Sequence, residues 1–584
     1  MSETAVPTLD PVTIQILWNR LIAVVDEAAT GLIRTAYTPS VKEYHDFCCA
    51  LFDTRGRMLA HSTVTTAGFL GIVPEVMRNF LRKFPPQTLN DGDSIITNDP
   101  WIASGHLIDI SIAAPVFHRG KIAGYTLCIV HHLDMGGRMS TLASKNIYEE
   151  GLKIPVIKLI EAGELNRTIF EFITANIRVP DKVLGDVRAQ IVANHVCARG
   201  LKIMLDEYNL DGLEALADEI ITRTDQSMRR KIVALPPGSY RNDVTLPRIP
   251  GVEEDIRICC EMRVEGDTIT IDFTGSSGEV GAAVNCCYNM TRSYTSYPFK
   301  LALDPGVPNN DGALNPIKVI APLGSIVNCR PPTATWGRTM ISHLLPEIVF
   351  GAMEQVLPEH VLAANGGAPA NEIYLHGKHA DGRSFMAISQ HSGGFGGSAR
   401  QDGPATLCFP NNTRNIPVEV TENEARMIYL RKELVCDSGG PGRNRGGLGQ
   451  VVEYEILSGG PANNDIVESS VRLSGRNEQG SFPVSGRLGG KSGRGYGLFV
   501  NDREVDHGTS RPLNPGDRVR FILSGGGGYG DPLEREPERV QADIRESRVS
   551  VEAARKDYGV VVSPDGAIDV AATAATRRQR GARP

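Results

Sequence analysis

TNDPWIASGHLIDISIAAPVFHRGKIAGYTLCIVHHLDMGG, residues 97–137, is the stretch around which the chain is organised. It sets two imidazole–carboxylate pairings at the ends of apolar runs: His106 with Asp109 in GHLID, and His131 and His132 with Asp134 in VHHLDMGG. Imidazole nitrogen with carboxylate oxygen is a borderline donor set that suits Zn, Mn or Fe. The run IAGYTLCIVHH is nearly continuously apolar, the pattern of a strand buried on both faces. His131 and His132 fall at its C-terminal end, where a rigid scaffold commonly presents ligand groups. His106 and Asp109 stand at i and i+3. On a helical turn or loop they can converge on one ion, whereas on a flat strand they would face opposite sides. Gly105 permits the irregular backbone that convergence needs. His131 follows after the length of one strand–turn–strand return to the same mouth.

Upstream, TPSVKEYHDFCCALFDTRGRMLAHS reads as a hairpin with its turn at Asp53–Gly56. Asp46 enters its first strand and is followed at once by apolar residues. A carboxylate so placed is paired, liganded or held at the strand mouth. Asp46 therefore completes a candidate set of four metal ligands with His106, Asp109 and His131. The same His106, Asp109 and His131 are the candidates for catalysis. His132 and Asp134 are expected to orient a ligand imidazole from behind, and His45 and His61 are read as ordinary polar residues.

The 584 residues are too many for one core. The fold class expected is α+β and multidomain. A mixed α/β N-terminal region carrying the metal site spans 1–238, and a mixed middle region spans 239–362. A β-rich, glycine-rich region spans 363–535, and 536–584 is expected to form a C-terminal helix and disordered tail. Hydrophobic content of 41% and charged content of 22% are those of a globular protein. A net charge of −7 argues against nucleic acid or an anionic membrane as the main partner. There is no basic and apolar leader and no run of about 18 apolar residues, so neither a signal peptide nor a membrane span is expected. Eleven cysteines without CxxC spacing suit reduced thiols and a cytoplasmic setting.

Helical periodicity, with Asp10-Pro11 as N-cap and first position, predicts a long first helix through Ile14, Leu17, Leu21, Val24 and Val25. Further helices are expected at 71–84, 166–176, 181–208, 210–233, 288–303, 343–356 and 536–558. GLKIPVIKL (151–159) reads as a strand and LPPGSY (235–240) as a boundary loop. IRICCEMRVEGDTITIDFTGSS (256–277) reads as a hairpin turning at Glu265-Gly266-Asp267. Glycine loops fill 393–403, 438–449, 485–497 and 524–530. LGGKSG (488–493) lacks the spacing with which a P-loop wraps phosphates, so no nucleotide-binding residues are assigned and turn or interface glycines are expected. No GxSxG elbow is present, and no local signature supports Cys–His catalysis.

Long motifs over both halves carry a family resemblance. They include DFCCALFDTRGRMLA (46–60), NDPWIASGHLIDI (98–110), HHLDMGG (131–137), EGLKIPVIKLIEAGEL (150–165), GDVRAQIVAN (185–194), DFTGSS (272–277), CDSGGPGRNRGGLG (436–449) and SGGGGYGDPLER (524–535). The chain resembles the hydantoinase B/oxoprolinase family, in its B-type form. The resemblance implies a B-type subunit of an ATP-dependent complex that opens a cyclic amide of hydantoin, lactam or oxoproline type. It also implies a divalent metal ion on this chain, ATP used by an A-type ATP-binding partner subunit, and a hetero-oligomer. Related complexes carboxylate ketones of acetone or acetophenone type, which is the alternative, and a non-catalytic scaffold for the ATP-binding subunit is the second. The family's Asp, His, Asp and His ligands map onto Asp46, His106, Asp109 and His131. Where the family more usually has Gly-Thr before this histidine, the chain has Ser104-Gly105. Arg55, Lys145 or Arg188 is available to hold an anionic group, with nothing in the sequence to choose among the three.

Overall fold

A computed structural model describes residues 10–138, 142–246, 252–367, 371–378, 383–457, 467–472, 484–505 and 510–581. The chain starts with α1 (Pro11–Thr35), whose Asp10 cap accepts hydrogen bonds from the amides of Val12 and Thr13. This satisfies two of the donors a helix start leaves open. All five residues of the predicted apolar stripe are buried. One turn of helix, α2 (Pro39–Lys42), leads into β1 (Phe47–Phe52) and β2 (Met58–His61), then α3 (Val73–Lys83) and β3 (Ser94–Thr97). The opening stretch supplies β4 (Asp109–His118) and β5 (Lys121–His131), and β6 (Ile157–Glu161) and β7 (Glu164–Leu165) close the sheet. Only the end of GLKIPVIKL is therefore strand. Helices α4 (Arg167–Asn176), α5 (Pro180–Glu207) and α6 (Glu214–Val233) follow.

The seven strands pair antiparallel in the order β2-β1-β5-β4-β3-β6-β7. Both faces of its centre are covered. Cys49, Leu51, Cys128 and Val130 pack with α1, α5 and α6 on one side. Cys48, Ala50, Phe52, Leu127 and Ile129 share a core with α3 and with the segment from Leu246 to Met353 on the other. Two covered faces are the physical reason that FCCALF (47–52) and LCIV (127–130) are apolar at every position rather than alternately.

In the middle of the chain, Glu261–Glu265 and Thr268–Asp272 form the expected hairpin, turning at Gly266 with φ +60°. Ile256–Ile258 is not part of it and pairs instead with Val244–Leu246. The expected boundary loop LPPGSY ends in a strand, Gly238–Arg241, hydrogen-bonded to Glu261–Glu265. Helix Tyr288–Leu303 has the predicted bounds, whereas 343–356 shortens to Leu345–Met353 behind a separate turn, Thr339–Ser342. The C-terminal half builds two further sheets, ordered 384–391, 371–378, 467–472, 510–513 and 427–434, 450–456, 518–522, 497–500, 503–504. The result is an α+β architecture of several sheets. Among the described residues no helix is long and apolar enough to cross a membrane.

The glycine loops stack on one another, backbone against backbone. Gly394 donates to the carbonyl of Ser524, Gly447 to Phe395, Gly526 to Gly447 and Gly440 to Gly526. A Cβ on Gly446 would lie 1.9 Å from the carbonyl oxygen of Gly526, and one on Gly526 would lie 2.0 Å from that of Phe395. These glycines are required by close approach rather than by turn geometry. LGGKSG takes part in the stack: a Cβ on Gly490 would lie 2.1 Å from Gly528 O, and Lys491 pairs with Asp557 at 3.2 Å.

The tail departs from expectation twice. The predicted helix 536–558 is two helices, Pro537–Arg545 and Val551–Tyr558, separated at Ser547 with φ +55° and restarted by a Ser550 cap. The segment read as disordered contains a helix, Val570–Gln579, capped by Asp569. It is pinned by Arg577, which donates to the carbonyls of Tyr558 and Arg535. Residues 582–584 lie outside the described residues.

Substitution tests this packing directly. Gly446→Ala and Gly526→Ala each force backbone apart and should destabilise by about 3 kcal/mol or more. Gly306→Ala, with nothing within 4 Å of its Cβ, should stay within about 0.5 kcal/mol of wild type. Urea unfolding of the three variants checks the contrast. His391 is buried against Tyr429 and Phe521, and burial, with the Lys432 charge adding, pulls its pKa down to about 3. As pH falls below the ordinary histidine value the unfolded chain takes up a proton that the native ring refuses, so stability drops until about pH 3. Between pH 7 and pH 5 this group should cost about 2 kcal/mol. The pH dependence of the urea midpoint should flatten by that amount in His391→Gln.

Candidate metal centre

Sheet register brings three parts of the chain to one rim. Asp109, the first residue of β4, is directly opposite His131, the last of β5. On the other side of β5, Phe47 is opposite Val130, and the His131 amide donates to the carbonyl of Asp46. His106 arrives from the turn before β4, behind Gly105 with φ +86°. Asp46, His106, Asp109 and His131 are each no more than 5% exposed.

The Asp109 carboxylate is the hub. Its Oδ1 is 2.8 Å from His131 Nδ1 and its Oδ2 is 2.8 Å from His106 Nε2. Ligand atoms of His106, Asp109 and His131 all lie within 4.8 Å of one another. Asp46 Oδ2 stands 3.9 Å from His131 Nδ1, while its Oδ1 accepts from the Thr66 hydroxyl at 2.8 Å. Burial, the largest influence on Asp109, would raise its pKa, but His106 and His131 override it and hold the carboxyl well below the usual carboxylate range. Burial, then the Arg338 charge, keeps His106 well below its ordinary value. The hub is thus an ionised carboxylate beside a neutral imidazole, the protonation state that cation ligation requires.

The donor set fits a divalent ion on its own chemistry. His106 Nε2 is buried and has no hydrogen-bond partner of proper alignment, although Asp109 Oδ2 is only 2.8 Å away. A buried nitrogen near a carboxylate but off its hydrogen-bond axis is poorly satisfied as the groups stand, and a shared cation would satisfy both. The cavity between these groups is about 20 Å³, room for one ion or water.

The opposite wall of that cavity comes from residues that sequence reasoning did not select. Arg338 donates from Nη1 to His106 Nδ1 at 2.6 Å and from Nη2 to Asp109 Oδ2 at 3.1 Å. Tyr294 donates its hydroxyl to Asn411 Oδ1 and lies 3.3 Å from His343 Nε2. Behind His131, Nε2 meets the Tyr374 hydroxyl at 3.0 Å. Nothing local marks these residues: Arg338 is 232 positions from His106 and Tyr374 is 243 from His131.

His132 and Asp134 do not orient a ligand ring through the hydrogen bonds they make. Alternation along β5 turns His132 away from His131. Its Nε2 meets Gln190 Oε1 at 3.1 Å, and Gln190 Nε2 donates to the carbonyls of Ile110 and Cys128, tying α5 to β4 and β5. Asp134 accepts from the amides of Gly136 and Arg178 and from the Arg178 guanidinium, and so fixes the loop after β5. The three candidate anion-holding cations lie off the cavity lining. Arg55 pairs with Asp218, Lys145 donates to Gly281 O, and Arg188 sits over the Phe170 ring.

Known proteins are similar to this chain over most of its length. The sequence profile of the hydantoinase B/oxoprolinase family matches residues 10–532. A protein described as the B-type component of a D-/L-hydantoinase from Pseudomonas sp. (strain NS671) is 29% identical, over 99% of both chains. The crystal structure of an ATP-dependent caprolactamase from Pseudomonas jessenii superposes with a TM-score of 0.88 at 27% identity, over 98% of this chain and 100% of that one. A nucleotide-free acetone carboxylase superposes with a TM-score of 0.86 over 98% of this chain and 83% of the other. Its identity of 22% carries likeness of fold alone.

Proposed function

The chain belongs to the hydantoinase B/oxoprolinase family, and from that premise we propose that it is the B-type subunit of an ATP-dependent complex that opens a cyclic amide of the hydantoin, lactam or oxoproline type. The observation that carries the reading is end-to-end similarity to a caprolactamase at 27% identity, in a chain whose sheet gathers Asp46, His106, Asp109 and His131 on one rim. The hydrolytic reading is preferred to ketone carboxylation because the acetone carboxylase likeness extends to fold only. An A-type subunit supplies ATP use, which suits a chain whose glycine loops are packed backbone on backbone and whose Lys491 is paired with Asp557. Ten buried, unpaired cysteines fit a reducing, cytoplasmic setting.

In this reading Asp46, His106, Asp109 and His131 hold a divalent ion of the Zn, Mn or Fe class. Bound there, such an ion supplies Lewis acidity toward a carbonyl or phosphoryl oxygen and lowers the pKa of a water. Tyr374 fixes the His131 ring by meeting its Nε2, leaving Nδ1 toward Asp109 and Asp46. Burial raises the Tyr294 pKa well above its ordinary value, so its hydroxyl keeps its proton at neutral pH and its hydrogen bond to Asn411 Oδ1 holds the cavity lining together. Apolar Phe69 and Met290 in the lining limit water.

Two measurements test this. The purified chain should carry a transition metal stoichiometrically by elemental mass spectrometry and lose it in His106→Ala and Asp109→Ala. Tyr374→Phe, which removes only the hydroxyl, should weaken metal binding by about 10–100-fold. Unchanged metal in both alanine variants would remove the ligand assignment. Co-expressed with the A-type subunit, the chain should open hydantoins or lactams with ATP and without bicarbonate. Strict bicarbonate dependence on a ketone substrate would instead select the carboxylase.

A further inference from the structure

Arg338 reaches the centre from the second wall and makes three contacts. Its Nε donates to Ser104 O at 2.7 Å, Nη1 to His106 Nδ1 at 2.6 Å and Nη2 to Asp109 Oδ2 at 3.1 Å. The placement is built in. The side chain is buried, and its arm lies across Gly105, where a Cβ would stand 2.9 Å from Arg338 Cδ. The glycine ahead of His106 thus serves the arginine as well as the turn.

A guanidinium donates hydrogen bonds and accepts none, and it stays charged throughout the range in which proteins fold. His106 Nδ1 therefore gives its lone pair to Arg338. A neutral imidazole has one such lone pair and one N–H, so in this arrangement the N–H is on Nε2, 2.8 Å from Asp109 Oδ2 but off its hydrogen-bond axis. A cation held by His106, Asp109 and His131 needs the reverse. The lone pair must then lie on Nε2, and the N–H on Nδ1 would point at a group that can only donate. His131 meets no such conflict, because its outer nitrogen faces a hydroxyl, which can accept.

We infer that the Arg338–His106 contact and cation binding at this centre are mutually exclusive, so that Arg338 is a built-in counter-cation that must withdraw from Nδ1 before His106 can ligate a metal. The inference rests on the metal reading above. Charge acts in the same sense as the lone pair: a guanidinium on the Asp109 carboxylate offsets the negative charge that attracts a dication, and repels the dication itself.

The test is the zinc affinity of the full chain, by competition with a chromophoric chelator, for wild type, Arg338→Met and Arg338→Lys. Arg338→Met keeps an apolar arm over Gly105 and removes the donors, and it should bind zinc at least about tenfold tighter than wild type. Arg338→Lys, which keeps the charge, should fall between them. Equal or weaker binding by Arg338→Met would overturn the inference and make Arg338 a support of the ligand set. A crystal structure of zinc-loaded wild type gives an answer that does not depend on how the variants fold. The guanidinium should lie beyond hydrogen-bond distance of Nδ1, and zinc on His106 with that contact intact overturns the proposal. Wild type that takes up no zinc overturns the metal reading and this inference together, whereas uptake with Arg338 unmoved overturns the inference alone.

Discussion

A carboxylate with no solvent contact must be neutralised by what surrounds it, and the structure around Asp109 meets that demand. Its oxygens face two imidazoles, a guanidinium and the Ser104 hydroxyl. Removing any one of these leaves charge less well compensated in a low-dielectric interior, where the penalty runs to several kcal/mol. The antiparallel register that sets Asp109 across from His131, and His131 beside Asp46, therefore fixes the electrostatics of the rim as well as its shape. A slip of one residue in β4 against β5 would turn these side chains to the opposite face.

The two walls of the cavity have different origins. One is the rim of the first sheet, rigid because both faces of that sheet are buried. The other comes from 290–343 and from Asn411, with Tyr374 reaching in behind His131. The second wall is held to the first by buried polar contacts: Glu150 accepts from the amides of Thr335 and Trp336, and Asn289 donates to the carbonyls of Trp101 and Ala103. Farther along the chain the glycine stack replaces side-chain packing with backbone contact, which tolerates little change of volume.

Much of the first wall was legible in the chain itself, because its signals are local. The capped, periodic first helix, the nearly continuous apolar run of β5 and the return of His131 to Asp109 after one hairpin all depend on neighbours in sequence. The second wall was not legible, since Arg338, His343 and Tyr374 meet the rim only through tertiary packing. His132 and Asp134 were expected to orient an imidazole of the rim, whereas their hydrogen bonds run to Gln190 and to Gly136 and Arg178. In a strand, adjacent side chains leave on opposite faces, and a carboxylate just past a strand end serves the loop. The C-terminal helix was missed for a related reason: composition alone says disorder, and the anchors that order it, Asp569 and Arg577, act through a cap and through carbonyls elsewhere.

The long separations across the cavity bear on how the protein is made. Asp46, His106, Asp109 and His131 are all synthesised before any of Arg338, His343 or Tyr374 exists. A nascent chain can form the β4–β5 hairpin early, since its pairing is local, but it then displays a buried-type carboxylate with half its partners still to come. Closing that gap must wait for contacts more than two hundred residues apart, the kind that slow folding and expose intermediates. For as long as it lasts, the rim is open to whatever cations surround the ribosome.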